Sequence, residues 1–101
     1  MDRLQSLRMF VAVAEAESFA GGARTLGLSG PSATRGVNAL EARLGARLFT
    51  RTTRKVRLTD VGRRYLAEVR EILAHLQAAD EAASGAAGKP VGQLRITCPQ
   101  E

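Results

Sequence analysis

At 101 residues and 45% hydrophobic content, the sequence holds enough apolar mass for one small domain and too little for two. Aromatics are 4% with no Trp, so the core must be aliphatic with a few Phe, modest enough that a second subunit is an expected supplement. The formal charge of +5 suits an anionic partner, nucleic acid or membrane surface, while a lone cysteine, Cys98, excludes an intrachain disulfide and fits a reducing cytoplasm.

Met1-Asp2-Arg3-Leu4 lacks the apolar stretch of a secretory signal. No run approaches the roughly 18 apolar residues of a membrane span. Asp2 is placed to cap a first helix, with Gln5 as its capping-box partner. Leu4, Leu7, Val11 and Ala14, with Phe10 beside them, form its apolar face, which Glu15-Ala16-Glu17 ends. Ser18 caps a short second helix, Phe19 to Leu26, and Gly27 stops it. After Leu28 and Ser29, Gly30-Pro31 opens a third helix that buries Ala33, Val37, Leu40 and Leu44 before Gly45 ends it. Two helices joined so tightly must cross steeply, and the small side chain of Ala23 lets them approach.

From Arg47 the period changes. Leu48-Phe49, a polar basic tip over Thr50 to Lys55, and Val56-Arg57-Leu58 read as a β-hairpin wing, residues 47–59. Thr59 caps a fourth helix, with Asp60 at its positive end. Along it Tyr65, Val69, Ile72, Leu76, Ala79 and Ala83 alternate steps of four and three, flanked by Leu66 and Leu73. Such a seam reads as a dimer interface formed by Tyr65, Val69, Ile72, Leu73, Leu76, Ala79 and Ala83. The competing reading is a core helix packed inside its own chain. Residues 85–92 are a hinge by composition, and the alternation of Leu94, Ile96 and Cys98 begins a strand. A strand without a partner suggests the start of a further, truncated domain over 93–101. The expected fold is therefore mainly α. A winged helix-turn-helix (1–59, the helix-turn-helix over about 18–45) precedes a long dimerisation helix (60–84).

Charge is concentrated. Arg35, Arg43, Arg47, Arg51, Arg54, Lys55 and Arg57 face one acid, Glu41, within 23 residues, so this stretch exceeds the net charge of the whole chain. A phosphate-binding footprint requires such clustering. With Ala33, Val37, Leu40 and Leu44 inward, the helical wheel turns Pro31, Arg35 and Asn38 outward, with Ser32 and Thr34 flanking. The guanidinium fork of Arg35 suits guanine O6 and N7 together, and a phosphate contact is its alternative. Asn38 could bond adenine or phosphate. Ser18, Ser29 and Ser32 stand at helix starts, where free N–H groups favour anions and where capping is an equally available role.

Leu7-Arg8-Met9-Phe10, Ala23-Arg24-Thr25-Leu26-Gly27-Leu28-Ser29, Leu40-Glu41-Ala42-Arg43-Leu44-Gly45, Arg47-Leu48-Phe49, Arg51-Thr52-Thr53-Arg54 and Leu58-Thr59-Asp60-Val61-Gly62 together resemble the amino-terminal domain of the LysR-type transcriptional regulators. Gly92-Gln93-Leu94-Arg95-Ile96 is similar to the opening of that family's effector domain. The resemblance implies a dimer or tetramer on double-stranded DNA, with a small-molecule inducer held by the effector domain and no cofactor in this stretch. It implies a major-groove position for Ser29, Pro31, Ser32 and Arg35, and Gly30, Thr34 and Asn38 on the same helix are expected beside them at the DNA. Arg51, Thr53 and Arg54 match a wing on the backbone and minor groove, and Lys55 of the basic tip is expected to join them. Where this chain has Gly30, and often where it has Gly36, the family carries glutamine, so base readout is expected to be thinner here.

Catalysis finds no support. His75 is the sole histidine, no metal-ligand cluster exists, and no glycine-rich loop precedes a helix to cradle phosphate. A winged helix that contacts protein or RNA without reading an operator is the competing function. Against it, no exposed aromatic platform for RNA bases is evident. A membrane-surface role needs a basic amphipathic helix, whereas the charge centres on a hairpin.

Overall fold

The computed structural model describes residues 2–52 and 55–86. The elements run α1 (Arg3–Ala16), α2 (Phe19–Thr25), α3 (Gly30–Leu44), β1 (Phe49–Arg51), β2 (Val56–Leu58) and α4 (Asp60–Ala86). This is the mainly helical winged arrangement expected, with one antiparallel hairpin pairing Phe49 with Leu58, Thr50 with Arg57 and Arg51 with Val56. The chain divides after Arg70 into two compact units.

Local chemistry sets the helix ends. Asp2 Oδ1 accepts from the Gln5 N–H at 2.7 Å, and Ser18 Oγ from the Gly21 N–H at 3.0 Å. Ser29 Oγ accepts from the Ser32 N–H at 3.2 Å and Thr59 Oγ1 from the Gly62 N–H at 2.9 Å. Each side-chain oxygen satisfies a donor that the helix leaves without a carbonyl. Thr59 also donates its hydroxyl to the Arg47 carbonyl at 2.7 Å, which ties the start of α4 to the entry of the hairpin. Gly27 and Gly45 take left-handed conformations after α2 and α3. Glu17 takes one too, at φ 54°, between α1 and α2, where no glycine marks the turn.

The core of the first unit joins all these elements up to Val69. Phe10, Phe49, Met9, Leu48, Val13, Val37 and Val69 are its largest enclosed side chains. The Phe10 ring lies 5.4 Å from Phe49 and 5.5 Å from Tyr65, both tilted, and Phe19 meets Phe49 edge-on at 6.2 Å. These are the offset geometries aromatic quadrupoles prefer. Two glycines permit close approaches. A Cβ on Gly22 would lie 2.7 Å from the Val13 backbone, and one on Gly62 would run into the Leu48 carbonyl oxygen. The intimate contact of α2 thus falls at Gly22 against α1, beside the Ala23 expected to make it against α3.

Several expectations need correction. The buried face of α1 is Ser6, Leu7, Met9, Phe10, Ala12 and Val13, while Leu4 is exposed and Val11 and Ala14 are half-buried. α1 packs on both α2 and α3, so it hides a wider arc than one stripe. Leu44, assigned to the α3 core, is 40% exposed, whereas Gly36 is buried beside Ala33, Val37 and Leu40. Helix 2 ends at Thr25 with Leu26 as its cap. Gly85 and Ala86, placed in the hinge, are still helical. The remainder of the hinge and the strand from Leu94 to Cys98 lie outside the described residues.

The largest correction concerns α4. Val69, assigned to a dimer seam, is fully buried within its own chain, and Tyr65 is half-buried against Phe10. Leu66 is buried as well. Glu15 on α1 bonds Arg70 at 3.1 Å just beyond. Spacing of three and four is common to a coiled-coil seam and a core-facing helix, so the sequence pattern serves both. From Ile72 onward the seam is different: Ile72 is 53% exposed, Leu73 and Leu76 are half-buried, and Ala79 and Ala83 are exposed.

Candidate nucleic-acid interface

α3 presents the expected outward face. Pro31, Arg35 and Asn38 are exposed, Ser32 and Thr34 are half-buried beside them, and the buried stripe lies opposite. At its start Ser29 and Ser32 hydroxyls bond each other at 2.9 Å, and Arg35 Nη2 donates to Ser32 Oγ at 3.4 Å. Thr34 is turned along the helix, its hydroxyl donating to the Gly30 carbonyl at 3.2 Å. Gly30 has open space where a Cβ would stand. The first turn of α3 therefore combines two hydroxyls and a guanidinium, a set that suits an anionic or acceptor-rich surface. Ser18 lies at the start of α2 as its cap.

The hairpin is held to α3 by one acid. Glu41, 8% exposed, accepts from the backbone N–H groups of Leu48 at 2.8 Å and Phe49 at 3.3 Å through Oε2. Its Oε1 accepts from Arg51 Nη2 at 2.9 Å, and Arg47 Nε stands 3.9 Å from Oε2. Three donors on a buried carboxylate offset the cost of removing its charge from water. The sequence reading missed this role. Its signal is that Glu41 is the single acid in the basic run.

The basic residues divide accordingly. Arg51 turns inward: the same Nη2 also donates to Asn38 Oδ1 at 2.8 Å, and the guanidinium carbon lies 4.9 Å above the Phe19 ring. Lys55 pairs with Glu17 at 3.6 Å, both side chains being 56% exposed, a contact worth little in water. Thr52 and Lys55 close the hairpin tip by the Lys55 N–H to Thr52 Oγ1 bond at 2.9 Å. Arg35, Arg43 and Arg57 are exposed and have no ion pair among the described residues. Thr53 and Arg54, expected at the wing tip, lie outside the described residues.

Among the described residues no group of acidic, His or Cys side chains could hold a metal, and no helix is long and apolar enough to cross a membrane. Apart from Ser18, the described site residues lie on α3 with its cap and on the hairpin, which a shared anchor at Glu41 joins.

Comparison with known proteins supplies the family. The chain is 43% identical over 98 residues to the transcriptional regulator PtxR of Pseudomonas aeruginosa, covering 97% of this chain and 31% of PtxR. It is 40% identical over 93 residues to the regulator TfdT of Cupriavidus pinatubonensis, covering 92% of this chain and 41% of TfdT. It thus spans well under half the length of these curated relatives. Among solved structures it is similar to the DNA-binding domain of CbnR in complex with DNA, at TM-score 0.80 and 37% identity, over 86% of this chain and all of that one. It is also similar to the BenM DNA-binding domain on benA site 1 DNA, at TM-score 0.81 and 30% identity, over 89% of this chain and all of that one. The model of the bacterial regulatory helix-turn-helix proteins of the lysR family matches residues 4–63, more than half of the sequence, and the chain belongs to that family.

Proposed function

We propose that this chain is the DNA-binding part of a transcriptional regulator and grips double-stranded DNA by laying α3 in the major groove, with the hairpin against the adjoining backbone and minor groove. The observation that carries this is the outward face of α3: Pro31, Arg35 and Asn38 lie exposed opposite a fully packed stripe. Arg35, Arg43 and Arg57, exposed and without an ion pair among the described residues, supply positive charge on the same two elements. CbnR and BenM domains of the same fold were solved on DNA, which supports the reading. Arg35 is the principal base reader, and Ser29, Ser32 and Thr34 line its flank. Thr53, Arg54 and Lys55 are proposed as the wing's contribution to the backbone.

A single module of this size holds DNA loosely, and two copies would place their recognition helices in successive major grooves of a near-palindromic site. The stretch with Ile72, Ala79 and Ala83 exposed and Leu73 and Leu76 half-buried is the surface proposed to join them, without Tyr65 and Val69, which the core already occupies. The role is binding rather than catalysis, in a cytoplasmic setting. In a longer protein, a further domain would carry the small-molecule inducer site and permit tetramers.

A mobility shift with matched duplexes tests the reading. Retardation of duplex DNA with little effect on duplex RNA is expected. Equal retardation of both, or of neither, overturns it.

A further inference from the structure

Arg51 and Asn38 have a chemical relation that decides what Asn38 can say to DNA. A carboxamide offers one acceptor oxygen and one donor NH2, and reading adenine requires both, the oxygen toward N6 and the nitrogen toward N7. Arginine has donors only, so the atom of Asn38 that faces Arg51 Nη2 at 2.8 Å must be the oxygen. The Asn38 NH2 is then turned away from Arg51, and it has no acceptor among the described residues. Asn38 itself is exposed on the same face of α3 as Arg35.

Arg51 cannot easily let go. Its Nη2 bonds Glu41 Oε1 at 2.9 Å, its guanidinium covers Phe19, and its side chain is only 28% exposed. Glu41 is in turn held by two backbone N–H groups. The chain of contacts therefore starts from a buried carboxylate and ends at an exposed amide. Swinging Arg51 out to a phosphate would leave that carboxylate short of a donor, at a cost a surface contact does not repay.

We propose that Arg51 is a positioning residue and not a phosphate contact, and that it orients Asn38 so that this side chain meets DNA through its NH2 donors. The partner is an acceptor atom: guanine O6 or N7, thymine O4, or a phosphate oxygen. The two-point contact to adenine is disfavoured, since Arg51 takes one of the two lone pairs of Asn38 Oδ1 and fixes the direction of that carbonyl. This rests on the reading that α3 faces DNA, and goes beyond it by assigning the polarity of one contact.

The test measures binding of the 101-residue chain and its variants to a duplex selected from a random pool, over a series of salt concentrations. Asn38→Asp keeps an oxygen for Arg51 and so keeps the fold, but removes the donors. It is expected to weaken binding about tenfold or more, and Asn38→Ala several-fold. Arg51→Ala should weaken binding with an unchanged salt slope, and should add little in an Asn38→Ala background, because it acts through Asn38. Thermal melting checks that each variant is folded. If Arg51→Ala unfolds, the Asn38 pair decides the question by itself. Loss at a single base-pair position assigns the acceptor to a base; loss spread evenly over sequences assigns it to a phosphate. Wild-type affinity in Asn38→Asp, an adenine preference abolished by Asn38→Ala, or a salt slope lowered by about one in folded Arg51→Ala overturns the proposal. Failure of the unaltered chain to bind any duplex would instead remove the DNA reading itself.

Discussion

Two stretches of α4 share one spacing and have opposite fates. Leu66 and Val69 are buried and Tyr65 is half-buried against Phe10, whereas from Ile72 on no seam residue is buried: Ile72, Ala79 and Ala83 stand exposed and Leu73 and Leu76 are half-buried. Nothing in the alternation of fours and threes marks the change. What differs is the rest of the chain: the first stretch is enclosed, with Phe10 of α1 against Tyr65. A heptad pattern states that a face will be covered; it does not state by what. Only the stretch from Ile72 is therefore available to a second copy.

The sharpest way to break this comparison is to charge both stretches. Val69→Asp places a carboxylate in a sealed core and should cost about 5 kcal/mol, enough to unfold a small domain. A folded Val69→Asp chain with an unchanged melting temperature would mean that the first stretch is no core at all.

Glu41→Ala is expected next in size, at about 3 kcal/mol, since it strands two backbone donors and Arg51. The melting temperature reads that loss directly, and a change under about 0.5 kcal/mol would show that the carboxylate does not anchor the hairpin.

Ile72→Asp should alter the melting of the monomer by no more than about 0.5 kcal/mol, as an exposed substitution does. Its effect belongs to association: sedimentation should give monomers where the unaltered chain gives dimers. A dimer that survives Ile72→Asp moves the pairing surface elsewhere.

Much of the fold was legible because its signals are local. Asp2, Ser18, Ser29 and Thr59 all cap helices, and Gly27 and Gly45 end two of them. The hairpin followed from the change of period at Leu48-Phe49 and Val56 to Leu58. The misses are of another kind. That Leu44 stays exposed, that Gly22 and Gly62 sit under neighbouring backbone, and that Glu41 gathers donors from the hairpin all depend on contacts far along the chain. The outward face of α3 was readable from its wheel, since a helix with one buried stripe leaves little choice for the opposite side. The inward turn of Arg51 was not, because a basic residue in a basic hairpin looks the same whether it meets a phosphate or a buried acid.

Gly30→Gln is the smallest perturbation. The position has open space and an ordinary backbone conformation, so stability should move by less than about 0.5 kcal/mol. Binding-site selection should then return one additional specified base pair, worth about 1–3 kcal/mol of discrimination. An unchanged preference would place Gly30 away from the base edges.

The central claim is that α3 reads double-stranded DNA through its exposed face. Selection of binding sites from a random duplex pool by the unaltered chain and by Arg35→Ala tests it most directly. The account predicts that Arg35→Ala loses preference at one position of the site, guanine by choice, at about 1–3 kcal/mol, while the other positions keep theirs. The same site with the same preferences at every position would contradict it.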